Sequence, residues 1–324
     1  MLKAIALFSG GLDSILAVQV IRRQQIEVLG LTFETPFFTA EKAKKAASVI
    51  KLPLLVENIT TDHLVMLKSP RYGYGRNMNP CLDCHILMLK TAGGKMQEIG
   101  AEFILTGEVI GQRPMSQGKQ SLFVVAKNSG YSDYILRPLS AQLLKPIKPE
   151  REGKIDRSKL LAIQGRGRKQ QIQLAAEFGI TSYAAPAGGC LLTDPMFTRR
   201  LRDLFSHQED RQIRDIELLK FGRHFRIRKG RKIIVGRNRS DNESLIKLSA
   251  KDDSVLFMAD YPGPCVIIPY GGGEAELAAA ASLCVLYSDA PGDMEAKVNC
   301  RQGDKHFVMK SVAAAKADYE HLLI

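Results

Sequence analysis

Residues 9–14 read SGGLDS, between the apolar run KAIALF (3–8) and the helical pattern ILAVQVIRR (15–23). A phosphate group needs donors that approach closely, and glycine lets backbone N–H groups do this because no Cβ intrudes. The first turn of a helix adds unpaired N–H groups and a favourable dipole. Ser9 and Ser14 add hydroxyls. Asp13 looks misplaced beside an anion until a divalent cation is supplied. The hexapeptide therefore fits a triphosphate-binding turn, although not the Walker form, because the Gly-Lys-Ser/Thr ending is missing. The plainer alternative is a tight turn with a capping serine. Its position after the first strand of an alternating chain favours the nucleotide.

Working outward, EVLGLTF (27–33), LPLLVENI (52–59) and AEFILTGEV (101–109) join KAIALF as buried strands. Helical patterns at 12–24, 39–50 and 84–99 separate them. This alternation predicts a parallel sheet covered on both faces, with ligands bound beyond the carboxyl ends of its strands. SGGLDS stands at one such end. Next, GQRPMSQGKQS reads as a loop, SDYILRPLS as extended and KPIKPEREGKIDR as basic and turn-rich. A helix follows near 167–178, then the loop YAAPAGGCLLTDP and a helical signal at 197–220. From Phe221 the texture changes. HFRIRKGRKIIVG predicts a hairpin turning at Lys229-Gly230. SLIKLSA, SVLFMAD and CVIIPYG read as short strands, GEAELAAAASLCVLYSDA as one helix, and EAKVNC and HFVMK as closing strands. A boundary near 215–222 divides an α/β domain (1–215) from a smaller α+β domain (222–324).

The chain has 324 residues, with 46 Lys plus Arg against 34 Asp plus Glu, a formal +12. Such a surplus favours a polyanionic partner, nucleic acid first, over an ordinary basic enzyme. The N-terminal apolar run stops at Gly10, too short for a signal-peptide core, and LAAAASLCVLY (277–287) is too short to span a bilayer. A cytoplasmic address and no membrane partner are the expectation. Six cysteines in such a chain point to metal, cluster or redox chemistry before disulfides. Cys81 and Cys84 lie one helical turn apart in NPCLDC (79–84), and Cys190 ends PAGGC. Three cysteines can hold three corners of a [4Fe–4S] cluster. A zinc site would want a fourth ligand, for which His85 is the candidate. In a third option Cys84 carries a persulfide that Cys190 resolves. Cys265, Cys284 and Cys300 sit in apolar or strand contexts and read as packing residues.

SGGLDS resembles the signature of the PP-loop ATP pyrophosphatases, SGGxDS near the N-terminus. The resemblance implies an adenine-nucleotide alpha hydrolase-like, Rossmann-like fold and cleavage of ATP between its α and β phosphates. It implies that Leu7, Phe8, Ser9, Gly10, Gly11, Leu12, Asp13 and Ser14 line the nucleotide. Phe33 would lie beside the adenine, and Thr106-Gly107 would close over the ribose or phosphates. Mg²⁺ is the first cation expected to offset phosphate charge, with Arg113 or Arg137 next. NPCLDC, GQRPMSQ, ILRPLSAQ and PAGGCLLTDP resemble the tRNA thiolation branch, the 2-thiouridylases and 4-thiouridine synthases. In the 2-thiouridylases the local pattern is NPDxxC. Here Cys81 replaces the aspartate, which favours a cluster on Cys81, Cys84 and Cys190 over a simple persulfide. Asp13, Cys84 and Cys190 are the implied catalytic residues, and a sulfur-donor protein or free sulfide the implied sulfur source.

FGRHFRIRKGRKIIVGRN (221–238) is densely cationic, with aliphatics alternating among the charges. As a strand pair, one face can pack while the other meets phosphates. A charge-protected edge is the alternative. IIVGRNRSDNESL (233–245), DYPGPCVII (260–268) and AAAASLCVLYS resemble the RNA-binding domain of the NFACT family. That resemblance implies tRNA as partner, with Arg237, Asn238 and Asp241 as candidate contacts beside Arg226, Arg228 and Arg231 of the cationic hairpin. The combined expectation is an ATP-dependent tRNA uridine sulfurtransferase. The alternatives are another PP-loop ligase or small-molecule thiolase with zinc, and a non-enzymatic RNA- or ribosome-binding factor.

Overall fold

The computed structural model describes residues 2–113, 115–184, 189–208, 212–291 and 294–324. The chain forms two compact units, Met1–Thr193 and Asp194–Ile324.

The first unit runs β1 (Lys3–Leu7), α1 (Leu12–Arg22), β2 (Glu27–Glu34), α2 (Glu41–Val49), β3 (Leu54–Asn58), α3 (Thr60–Lys68), α4 (Cys81–Glu98), β4 (Phe103–Thr106), α5 (Lys119–Ser129), β5 (Ile135–Leu136), α6 (Lys148–Arg151) and α7 (Lys169–Glu177). Its strands form one sheet in the order β3-β2-β1-β4-β5, every pairing parallel. Ala4 and Ala6 of β1 enter one core with Phe8, Ile15 and Leu16, while Ile5 enters another with Leu31, Leu89 and Ile104. A strand of period 2 with both faces buried has to be apolar throughout, which is why KAIALF shows no alternation. The strand order reverses between β1 and β4, so a crevice opens at their carboxyl ends, where SGGLDS and Thr106-Gly107 stand.

Several local readings need correction. LPLLVENI is not a buried strand: β3 is a sheet edge, and Leu55 and Val56 are each 38% exposed. AEFILTGEV is a strand only over Phe103–Thr106, because Gly107 leaves the sheet to lie on α1. The loop reading of GQRPMSQGKQS gives way at Lys119 to α5, and SDYILRPLS contains only the two-residue β5.

The second unit runs α8 (Pro195–His207), α9 (Ile213–Leu218), β6 (Arg223–Arg228), β7 (Arg231–Val235), α10 (Arg239–Leu248), β8 (Ser254–Met258), β9 (Val266–Ile268), α11 (Glu274–Leu286), β10 (Ala296–Gln302), β11 (Lys305–Ser311) and α12 (Lys316–Glu320). Its sheet has the order β11-β10-β8-β9-β7-β6 and is antiparallel. The hairpin at Lys229-Gly230 forms as read. SLIKLSA does not form a strand. Asn238 accepts the Asp241 N–H at 2.9 Å and caps α10, whose Asp241 and Leu245 are buried one turn apart. The units divide ahead of the expected 215–222 because α8 packs within the second: Arg200 donates to the carbonyls of Leu219 and Gly222, each at 2.9 Å. Cys265, Cys284 and Cys300 are buried packing residues, as expected.

Candidate functional site

The SGGLDS turn leads from β1 into α1. Gly11 caps α1 with no side-chain hydrogen bond, and the first intrahelical bond runs from Ile15 N–H to Gly11 O at 3.1 Å. The N–H groups at the start of α1 therefore have no helical carbonyl to meet, as an anion site requires. Gly10 has φ +73°, and a Cβ there would strike the Lys42 backbone carbonyl. Ser14 Oγ donates to Gly11 O at 2.8 Å, so its proton is engaged within the turn. Asp13 Oδ2 accepts from Gln112 Nε2 at 2.9 Å, while Oδ1 is buried with no partner. A buried carboxylate oxygen in that state fits a divalent cation such as Mg²⁺. Phe8 is buried, and Phe33 lies buried at the end of β2 among Ile5, Leu31 and Ile104.

Two further contacts draw other segments to this turn, and three more fasten the Cys190 segment. A Cβ on Gly107 would stand 2.5 Å from Ser14 N and 2.6 Å from Asp13 C, so only glycine lets β4's extension lie against α1. Gly11 forms a parallel bridge with Ala184, just before the PAGGC loop. Of that loop only Gly189 and Cys190 fall among the described residues. Leu191 N–H donates to Phe37 O at 2.9 Å. Asn77 Nδ2 donates to Thr193 O at 2.7 Å, and Thr193 Oγ1 donates to Cys190 O at 2.7 Å. That chain ties the Cys190 loop to the approach to NPCLDC.

Cys81 and Cys84 open α4. Asn79 Nδ2 donates to Cys81 Sγ at 3.2 Å, and Asp83 accepts the Arg71 and Tyr72 N–H groups at 3.1 and 3.0 Å, fixing the preceding loop. Burial first, then the charges of Cys190, Cys81 and Asp83, push the Cys84 thiol well above its ordinary range. Burial first raises Cys190 to about 11, with Cys81 adding to the effect. The thiols thus feel one another. Among the described residues, no set of three or more His, Cys, Asp or Glu stands as a ready-made metal cage. The donor types suit a cluster, and metal coordination would deprotonate thiols that burial keeps protonated.

Beside the cysteines lies a network the sequence did not reveal. Glu108 Oε1 meets His85 Nδ1 at 3.1 Å, and its Oε2 accepts from Thr106 Oγ1 at 3.0 Å and Arg137 Nε at 2.9 Å. Burial pushes the Glu108 carboxyl up, but Arg137, His85 and Thr106 together hold it down at about 2. Arg137 is therefore buried and committed to Glu108 rather than open to phosphate, whereas Arg113 is exposed.

In the second unit the expected RNA contacts mostly build the domain. Arg226 pairs with Asp203 through Nε–Oδ1 at 3.1 Å and a second, shorter contact. Arg231 donates to the carbonyls of Tyr270 and Gly271 at 3.1 and 3.2 Å. Arg237 Nε donates to Asp241 Oδ2 at 2.6 Å, and Asp241 also accepts the Gly222 N–H at 3.0 Å. Arg228 pairs with Glu276 at 2.5 Å but is 64% exposed. Both faces of the hairpin are covered: Phe225 and Ile233 pack in the cluster with α11, and Arg226 meets Asp203 of α8. Elsewhere on the sheet, Phe257, Asn299, Arg301, His306 and Val308 line an open cavity of about 370 Å³.

Residues 2–145 match the family model described as thiamine biosynthesis protein (ThiI), and residues 222–322 the one described as the NFACT protein RNA binding domain. A "Probable tRNA sulfurtransferase" of Thermoanaerobacter sp. (strain X514) is 31% identical over 141 residues, 42% of this chain and 36% of that protein. The tRNA-specific 2-thiouridylase MnmA of Trichlorobacter lovleyi is 25% identical over 150 residues, 43% of this chain and 42% of that protein. A "Probable tRNA sulfurtransferase" of Staphylococcus aureus (strain MRSA252) is 29% identical, covering 42% of this chain and 34% of its own length. The matches thus span about a third to two fifths of each relative's length. The strand order, the SGGLDS turn and these matches agree: the chain joins an N-terminal domain similar to the PP-loop domain of ThiI to a C-terminal domain similar to the NFACT RNA-binding domain.

Proposed function

We propose that the protein is an ATP-dependent tRNA uridine sulfurtransferase. The observation carrying this reading is the convergence of the nucleotide turn and the cysteine segments through Gly11–Ala184, Gly107 on α1 and Asn77–Thr193. ATP sits with its phosphates on the free N–H groups of α1. A uracil carbonyl oxygen attacks the α-phosphorus, and pyrophosphate leaves with the electron pair of the broken bond. The oxygen, a poor leaving group before, now departs as AMP when sulfur attacks the same carbon. Asp13 Oδ1 would hold Mg²⁺, which offsets phosphate charge. Cys81, Cys84 and Cys190 would hold a [4Fe–4S] cluster, which supplies an iron position open to an external ligand. On the cluster route sulfur comes as free sulfide or from a donor protein. Without the cluster, a donor protein's persulfide passes its outer sulfur to Cys84. That sulfur attacks the activated uracil carbon as AMP leaves. Cys190 then attacks the inner Cys84 sulfur, and the base departs with the new sulfur while a Cys84–Cys190 disulfide forms, which an external dithiol reduces before the next turnover.

RNA is held by the second domain. Its open sheet face, with Phe257, Arg301 and His306, suits bases and phosphates better than the hairpin, whose cations are internally committed.

One observation supports a second reading, a PP-loop ligase with zinc. His85 turns Nδ1 to Glu108, the support that a metal-bound histidine usually has. Anaerobically purified protein decides between them: iron with acid-labile sulfide supports the first, zinc alone the second. The main test is incubation with ATP, sulfide and bulk tRNA, followed by mass spectrometry of digested nucleosides. Thiouridine formed with AMP and pyrophosphate is expected. Tight RNA binding with no pyrophosphate at all would leave a non-enzymatic binding factor.

A further inference from the structure

The segment QGRGRK (164–169) carries Arg166, Arg168 and Lys169, and no Asp or Glu occurs between Arg157 and Ala176. Its backbone is fastened close to the nucleotide turn. Gly165 N–H donates to Ile110 O at 2.7 Å, and Gln164 forms a parallel bridge with Ile110. A Cβ on Gly111 would stand 3.5 Å from Gly165 N. The next residue, Gln112, gives its amide to Asp13 at 2.9 Å.

Arg113, Arg166, Arg168 and Lys169 form no ion pair among the described residues. Arg168 Nε is buried without a partner, and so are two acceptors nearby in the chain of contacts, Asp13 Oδ1 and Gln112 Oε1. An unmet guanidinium nitrogen asks for an anion, and unmet oxygens ask for a cation or a donor. On segments joined through Gly165–Ile110 and Gln112–Asp13, these two demands suit a metal-chelated phosphoanion.

We propose that Arg166, Arg168 and Lys169, with Arg113, form a diphosphate subsite that receives the β and γ phosphates of the nucleotide. This rests on the reading that SGGLDS binds ATP. When the bond from the α-phosphorus to its bridging oxygen breaks, the electron pair stays on that oxygen, and fixed guanidinium groups stabilise the growing charge. The same chemistry could serve a phosphate of the RNA backbone, and the test separates the two.

The experiment is calorimetric titration of the full chain, with Mg²⁺, using ATP, AMP, inorganic pyrophosphate and bulk tRNA. The variants are Arg166→Ala/Lys169→Ala, both exposed positions, and Arg168→Lys, which keeps the charge but loses the Nε donor. ATP and pyrophosphate affinity should fall about tenfold or more in each, with AMP affinity unchanged. Equal losses for AMP and ATP, or no loss at all, overturn the subsite. So does a loss confined to tRNA, which would assign these cations to the RNA backbone. Wild-type protein that binds no ATP would overturn the underlying reading itself.

Discussion

Asp13 has one oxygen held by Gln112 and the other buried and bare. Replacing it with asparagine should lower pyrophosphate formation by about two to three orders of magnitude with the fold intact, read by a coupled pyrophosphate assay beside a thermal melt. Loss of folding instead would make Asp13 a structural residue. Glu108 gives a second result at this scale. Its folded pKa of about 2 lies below the ordinary 4.5. The folded state therefore binds fewer protons, and the stability from the network is fully present above pH 4.5. It is lost as pH falls toward 2. Arg137→Met leaves that carboxylate buried without its cation and should cost about 3–5 kcal/mol at pH 7 by urea titration. The loss should shrink on acidification. A pH-independent loss would show that packing, not charge, is what Arg137 provides.

Among the elements, the β6–β7 hairpin changes its meaning most between sequence and structure. Its alternation of cations and aliphatics was legible, and so was its turn. What covers each face was not, because α8 lies outside the segment and its Asp203 gives no local sign of pairing with Arg226. The cost shows in Lys232, which burial first, then Arg226, lowers to about 8 from the ordinary 10.5. Here the unfolded chain binds more protons, so this residue makes stability rise between about pH 8 and 10.5. Lys232→Met should raise the melting temperature at pH 7 by a few degrees, and the gain should fade by pH 10; a destabilised variant would mean the ammonium has a good partner. Arg226→Ala should cost about 2–4 kcal/mol, against under about 0.5 for exposed Arg228→Ala. Equal costs would contradict the burial difference. Other elements divide in the same way. β1 and α1 were plain because their signal is local. SLIKLSA misled because its apolar residues belong to a helix whose cap, Asn238, lies upstream.

At the scale of the whole molecule, charge is unevenly shared. Residues 1–193 hold 25 of the 46 Lys and Arg but only 15 of the 34 acids, so 10 of the 12 surplus charges lie there. Within 221–238, Arg226, Arg228 and Arg237 pair with Asp203, Glu276 and Asp241. Affinity for tRNA should fall roughly a thousandfold between 50 and 200 mM salt, as expected for several phosphate contacts. A flat dependence would count against RNA as partner. The SGGLDS turn was legible because six adjacent residues form it. Gln112 was not, since its partner Asp13 lies 99 positions away, nor was Glu108, whose His85 and Arg137 lie 23 and 29 positions away. Gly11 and Ala184 share a backbone bridge, so settling ATP on the turn acts on the segment that precedes Cys190, the residue that resolves the sulfur loaded on Cys84. Any preference that nucleotide shows for the loaded enzyme over the depleted one must be returned, factor for factor, as a preference of sulfur for the ATP-bound form. The order of the two substrates could then be set by reciprocity alone, without a moving lid.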